Sequence, residues 1–272
     1  MKAIIPVAGI GKRLRPFTST VPKPLLPVAG KPILAHIIDR IIPLGVDELV
    51  LITGYMGEKI EEFVTENYGL PTKFVRQEEL VGLGYAVRLG LSACEDEPVL
   101  VILGDTIIEL GNTDFAGAGR NLIGVVPVEN PRRFGVVEVD GDRIIGLQEK
   151  PDHPKSNLAI AGFYYFRKSN PLRSALDELV ERDIKTRGEY QLTDAMKIML
   201  ERGTELHITE IEGWFDCGTV DTLITTNRHL LEKTPPAGAG ETAVVIPPVY
   251  IGEGAELENC VVGPNVSIGK NS

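Results

Sequence analysis

Cations crowd a glycine turn near the N-terminus: Gly9-Ile10-Gly11 is followed at once by Lys12, Arg13 and Arg15, and later by Lys23. Missing Cβ atoms let such a turn bend tightly and approach a bound group closely. Its backbone N–H groups, with guanidinium and ammonium groups beside them, suit an oligophosphate. Two carboxylates stand further along, Asp105 after Val101-Ile102-Leu103-Gly104 and Asp216 in Gly213-Trp214-Phe215-Asp216. Carboxylates at strand ends can hold a hard divalent cation, the natural companion of a polyphosphate. Neither familiar phosphate loop fits, however. A dinucleotide fingerprint needs glycine where Leu14 stands, and a P-loop needs glycine and a hydroxyl residue where Pro6 and Arg13 stand.

These residues must be held by ordered elements, and the patterning supplies them. Ala3–Ala8 has the length and β-branched content of a buried strand leading into the glycine turn. Apolar positions Ile33, Leu34, Ile37, Ile38 and Ile41 recur at helical spacing, with Pro32 placed for a first turn. Strands are expected near 49–52, 73–76 and 99–103, and helices near 58–68 and 84–93. That alternation through residue 105 predicts a largely parallel sheet covered on both faces. Beyond it the rhythm changes to strands at 122–128, 135–139, 144–149 and 159–166. Helices at 171–181 and 192–202, a strand at 206–211 and a last helix at 219–232 complete the expected body. Asp216 can therefore also be read as a cap for that last helix.

Composition narrows the function classes. With 272 residues and 43% hydrophobic content, the chain can bury a large α/β core. A net charge of −10 argues against a general nucleic-acid binder. The sign is reversed locally, since Lys2, Lys12, Arg13, Arg15, Lys23 and Lys31 all precede the first acid, Asp39. Three cysteines without C-x-x-C spacing imply neither a disulfide framework nor a zinc site. No signal peptide or long apolar span is legible, so a cytoplasmic setting away from membranes is expected.

The block P-V-A-G-x-G-x-R-L-x-P at 6–16, followed by Pro22-Lys23-Pro24-Leu25-Leu26-Pro27, resembles the N-terminal signature of the sugar-1-phosphate nucleotidylyltransferases. The likeness continues through Leu103-Gly104-Asp105, Arg133-Phe134-Gly135-Val136-Val137-Glu138, Glu149-Lys150-Pro151, Ser156-Asn157-Leu158-Ala159 and Trp214–Thr219. It implies a Rossmann-like, mostly parallel sheet with helices on both faces. It also implies transfer of a nucleotidyl group from a nucleoside triphosphate to a sugar 1-phosphate. Asp105 and Asp216 would hold Mg²⁺, while Arg13, Lys23 and Asp105 would act at the reacting phosphates. Nucleotide contacts would come from Ala8, Gly9, Gly11, Lys12, Gln77 and Gly82, with the Gln77 amide reading a pyrimidine imide edge. For Lys12, a solvated charge is the competing reading. Gly135, Glu149, Lys150, Ile160 and Gly162 would surround the sugar phosphate. Glucose 1-phosphate with dTTP or UTP is the favoured pair and a homo-oligomer is expected. Mannose-1-phosphate guanylyltransferase and a non-catalytic regulatory homologue are the alternative readings.

The catalytic domain is expected over 1–232, with a linker at 233–243 rich in proline and glycine. After it, Ile251 to Leu257 and Val262 to Ile268 keep a spacing of six that resembles the hexapeptide repeat of left-handed β-helices. Residues 244–272 therefore read as a truncated array or a stub that packs on another surface, since one or two coils cannot bury a core alone.

Overall fold

The computed structural model describes residues 1–111, 117, 119–234 and 242–272. In chain order the body comprises β1 (Lys2–Pro6), β2 (Pro27–Val28), β3 (Lys31–Pro32), α1 (Ile33–Ile41), β4 (Glu48–Thr53), α2 (Gly57–Asn67), β5 (Thr72–Arg76) and α3 (Leu83–Leu91). Next come β6 (Val99–Ile102), β7 (Thr106–Glu109), β8 (Asn121–Pro127), β9 (Gly135–Asp140), β10 (Arg143–Glu149) and β11 (Leu158–Phe166). The body ends with α4 (Ser169–Glu181), α5 (Leu192–Glu201), β12 (Leu206–Glu210), β13 (Gly213–Asp216) and α6 (Val220–Glu232). Short strands β14 (Val244–Val245), β15 (Val249–Ile251), β16 (Val261–Val262) and β17 (Val266–Ile268) follow.

Nine strands form the central sheet in the order β5-β4-β1-β6-β11-β8-β12-β10-β9. Pairing is parallel from β5 to β6, as the strand–helix alternation requires, and β11 then runs antiparallel to both β6 and β8. The sheet is thus mixed, and its parallel character is confined to the N-terminal strands plus the β8–β12 pair. Its physical origin is visible in connectivity. Where no crossover helix separates successive strands, as between β9 and β10, the chain can only return antiparallel.

Alternation along the strands sorts the core into two layers. Ala3, Ile5, Leu49, Leu51, Leu100 and Ile102 pack on one face with α1 and α2 residues such as Leu34, Ile38 and Ile60. Ile4, Val50, Ile52, Val99 and Val101 pack on the other with Val87, Leu91, Leu176 and Met196 of α3, α4 and α5. Both faces are covered, so the strands read as continuous apolar runs. Each fully buried Ile or Leu contributes about 1.5–3 kcal/mol relative to exposure.

Outside the sheet, β7 and β13 form a separate antiparallel ribbon. Sequence patterning did not single out either strand. The expected linker falls mostly on 235–241, outside the described residues. Beyond it, β14 pairs parallel with β16 and β15 with β17, both seventeen residues apart (244 to 261 and 249 to 266).

Candidate active site

The parallel strands deliver their C-terminal ends, where open α/β sheets bind ligands, to one rim. β1 runs into the glycine turn, and Gly11 lies at φ +68°, with its carbonyl accepting from Thr18 Oγ1 at 2.9 Å. A Cβ on Gly11 would meet Thr18 and Lys23 side chains at 2.9 and 3.1 Å, so the turn and the lysine are in direct contact. Lys23 itself sits in a single 3₁₀ turn between Pro22 and Pro24, which fix the backbone on either side.

Asp105 follows β6 directly. Lys23 Nζ lies 2.5 Å from Asp105 Oδ2, and the lysine is 8% exposed. The β7–β13 ribbon then sets Asp216 opposite Thr106, one residue from Asp105, and Cys217 N–H donates to Asp105 O at 2.9 Å. Burial, and next the neighbouring Asp105 charge, hold the Asp216 carboxyl above the usual carboxylate range, with Lys23 and Arg13 pulling the other way. Arg13 reaches the same place: a Cβ on Gly218 would be 2.8 Å from Asp216 Oδ1 and 3.1 Å from Arg13 Nη2. Asp216 does not cap α6. Thr219 does so through a reciprocal capping box with Thr222, which leaves the aspartate for other work.

Two neighbouring carboxylates fit a divalent cation, which would offset the burial and the Asp105 repulsion that raise the Asp216 pKa. Among the described residues no set of three or more His, Cys, Asp or Glu side chains gathers to hold a metal. That donor set matches Mg²⁺, which commonly takes one or two carboxylates and completes its shell with water and substrate phosphate. Asp105 and Asp216 are the residues that would hold it.

A cavity of about 910 Å³ borders these aspartates and is lined by the cations Arg13, Arg132, Arg133, Lys150 and Arg187 and by the apolar Leu103, Ile160 and Ala161, among others. Phe134 and Trp214 form one wall, edge to face at 5.1 Å, with Trp214 Nε1 donating to Ala161 O at 3.1 Å. Glu149, its side chain 8% exposed, accepts from Thr193 Oγ1 at 2.8 Å and forms an ion pair with Lys150 Nζ at 3.1 Å. A Cβ at Gly135 would meet Thr193 Oγ1 at 2.8 Å and Glu149 Oε2 at 3.0 Å, so only glycine leaves that carboxylate room. A second cavity of about 380 Å³ is lined by Ala8, Ile10, Gly54, Tyr55, Arg76 and Gln77, among others. Gln77 is buried, and its Nε2 donates to Glu79 O at 2.9 Å, which leaves Oε1 and the second Nε2 hydrogen for a ligand.

A sequence profile of the nucleotidyl transferase family matches residues 2–233. The chain belongs to that family. It is 34% identical over 281 residues to a glucose-1-phosphate thymidylyltransferase of Streptomyces antibioticus, covering 98% of this chain and 77% of the relative. It is 42% identical over 260 residues to the bifunctional protein GlmU of Methanocaldococcus jannaschii, covering 94% of this chain but only 61% of that protein. A UDP-glucose pyrophosphorylase solved with UDP-glucose shares the fold, at a TM-score of 0.74 and 24% identity, over 86% of this chain and 99% of that one.

In this nucleotidyl transferase Arg13, Asp105 and Asp216 line the larger cavity with Lys150 and Ile160, while Lys23 reaches it through Asp105. Ala8 and Gln77 line the smaller one. Gly82 lines neither. Its φ of +122° and the Tyr190 backbone, 2.4 Å from where a Cβ would stand, give that glycine a packing reason. Gly162, at φ +84°, packs on Leu103 in the same way, and Lys12 is exposed outside both cavities. Sequence reasoning missed Arg187 and Thr193. Arg187 stands on a tight turn with Gly188, both at positive φ, and donates to Lys150 O at 2.9 Å. Arg-Gly between polar residues signals a turn, but only the fold brings that turn to Lys150.

Proposed function

We propose that this nucleotidyl transferase acts on a sugar 1-phosphate, with glucose 1-phosphate and dTTP or UTP as its substrates, releasing pyrophosphate. The observation that carries the reading is the meeting of Arg13, Asp105 and Asp216, with Lys23 on Asp105, at a cavity that Lys150 and Arg187 also line and beside which Glu149 pairs with Lys150. A phosphate oxygen of the sugar phosphate attacks the α-phosphorus of the triphosphate, and the bond to the bridging oxygen of the departing pyrophosphate breaks. No protein nucleophile is needed, so positioning and charge neutralisation supply the catalysis.

Each residue then has a task. Arg13 bridges phosphate oxygens bidentately, and Lys23 places a compact charge at the reacting centre. Mg²⁺ held by Asp105 and Asp216 would neutralise phosphate charge there. Lys150 and Arg187 draw in the phosphate of the sugar substrate, and Glu149, fixed by Thr193, accepts hydrogen bonds from sugar hydroxyls. The Gln77 amide pairs with the imide edge of uracil or thymine.

Pyrophosphate release over a grid of dTTP, UTP, GTP, ATP and CTP against glucose-, mannose-, galactose- and N-acetylglucosamine-1-phosphate tests the proposal. A Mg²⁺-dependent signal with a pyrimidine triphosphate and glucose 1-phosphate is expected. A signal confined to GTP with mannose 1-phosphate, or silence from folded protein, overturns it. We further infer that 244–272 forms coils of a left-handed parallel β-helix, supported by the parallel pairs at a constant offset.

A further inference from the structure

The two-residue turn between β2 and β3 is held from three sides. Ala29 and Gly30 keep it in the left-handed region, at φ +47° and +88°. Ala29 N–H donates to Asn227 Oδ1 at 2.8 Å, and Asn227 Nδ2 donates in turn to Asn265 O at 3.1 Å. One amide on α6 thus links the turn to the C-terminal coils. Tyr250 of β15 fills the space above Gly30, its ring carbons 2.3–2.6 Å from where a Cβ would stand. From α1, the neutral His36 ring meets Val28 O at 2.7 Å.

What precedes this turn gives the grip its meaning. Leu26 N–H donates to Lys23 O and Ile33 N–H donates to Leu26 O, both at 3.1 Å. The Lys23 turn, the β2–β3 ribbon and the start of α1 therefore form one hydrogen-bonded unit. On α6, Thr226 Oγ1, which donates to Thr222 O at 2.8 Å, also lies 3.3 Å from Asp216 O, and Thr222 Oγ1 lies 3.4 Å from Asp216 Oδ2. Asn227 is the next residue along. A single helix thus registers Asp216 through its hydroxyls and the Lys23 unit through its amide.

We propose that Asn227 and Tyr250 are positioning residues for nucleotidyl transfer: they clamp the Lys23 unit between α6 and the C-terminal coils and so hold Lys23 on Asp105 in register with Asp216. The proposal rests on the function argued above. Neither residue lines either substrate cavity, so their effect travels through Lys23. Misplacing a catalytic group by about 1 Å can cost about a hundredfold in rate, and a loosened clamp costs a fraction of that.

Variants of the 272-residue chain separate the contacts. Asn227→Asp keeps an acceptor for the Ala29 N–H and removes the donor to Asn265 O. Tyr250→Ala empties the space over Gly30, and Tyr250→Phe restores the ring. Hydrogen exchange over residues 23–33 should quicken in Asn227→Asp and Tyr250→Ala, and kcat should fall about tenfold with both KM values within about twofold. Tyr250→Phe should recover both readouts. Unchanged exchange and kcat in the first two variants overturn the proposal, as does a kcat loss matched by loss of folded protein. A wild-type chain silent on every substrate pair would instead sink the function argued above, and the exchange data would still decide whether the clamp exists.

Discussion

Asp216 carries a carboxylate into a partly buried place beside Asp105, where it is held above its ordinary value of 3.8. Between that value and the raised one, the folded state binds more protons than the unfolded chain, so stability falls as pH rises through this window. Asp216→Asn removes the effect. Its Tm should exceed that of wild type at pH 7, and the gap should close as pH falls below 3.8, in melts without divalent cation. The same variant should lose Mg²⁺-dependent turnover. Asp105→Asn should keep the fold and cost about a hundredfold or more in kcat by pyrophosphate release; a variant within twofold of wild type would remove Asp105 from the reacting centre. Glu149→Gln should raise the KM for sugar phosphate about tenfold and leave that for the triphosphate unchanged. Equal loss of both affinities would overturn its assignment to the sugar.

Helix α3 carries Gly90 where propensity alone favours alanine by about 1 kcal/mol. Its Cβ would stand 2.6 Å from Ile4 Cγ2, because the helix lies tight against β1. Overpacking costs about 1–3 kcal/mol, so Gly90→Ala should lower the urea midpoint despite the better helix former. Gly82, just before the same helix, joins a positive φ to a close approach by the Tyr190 backbone. Gly82→Ala should cost about 1–3 kcal/mol from backbone strain and shift the loop that leads from Gln77 to α3. Unchanged denaturation in both variants would mean that these elements yield more readily than their packing implies.

Across the whole molecule, pH dependence has a second source in His36. Burial lowers its pKa from 6.5 to about 4, against the hydrogen bond to Val28 O, and the ring is 5% exposed. Here the unfolded state binds the extra proton, so the contribution is full above pH 6.5 and is lost as pH falls toward 4. His36→Gln offers the same carbonyl a donor without titrating. Its Tm should vary less than that of wild type between pH 4 and 6.5, and identical slopes would show that other groups govern acid unfolding. Among the described residues no helix is long and apolar enough to cross a membrane.

Local chemistry made much of this protein legible in advance. Solid apolar runs such as 99–102 and the helical spacing of Ile33–Ile41 name their own elements, because burial on both faces or on one stripe dictates the pattern. The glycine turn, the proline-flanked lysine and Asp105 after its strand carry their chemistry in neighbouring letters. Other features depend on residues far apart in the chain. The β7–β13 ribbon seats Asp216 beside Asp105 by pairing Thr106 with a residue far along the chain, and Arg187 acquires meaning only when its turn meets Lys150. The approach of the Tyr190 backbone to Gly82 is another such meeting, invisible in the neighbouring letters. The clamp of Asn227 on Ala29 and Asn265 joins positions 29, 227 and 265. Sequence determined which groups were available and which elements would carry them; close packing of distant segments decided which of those groups meet.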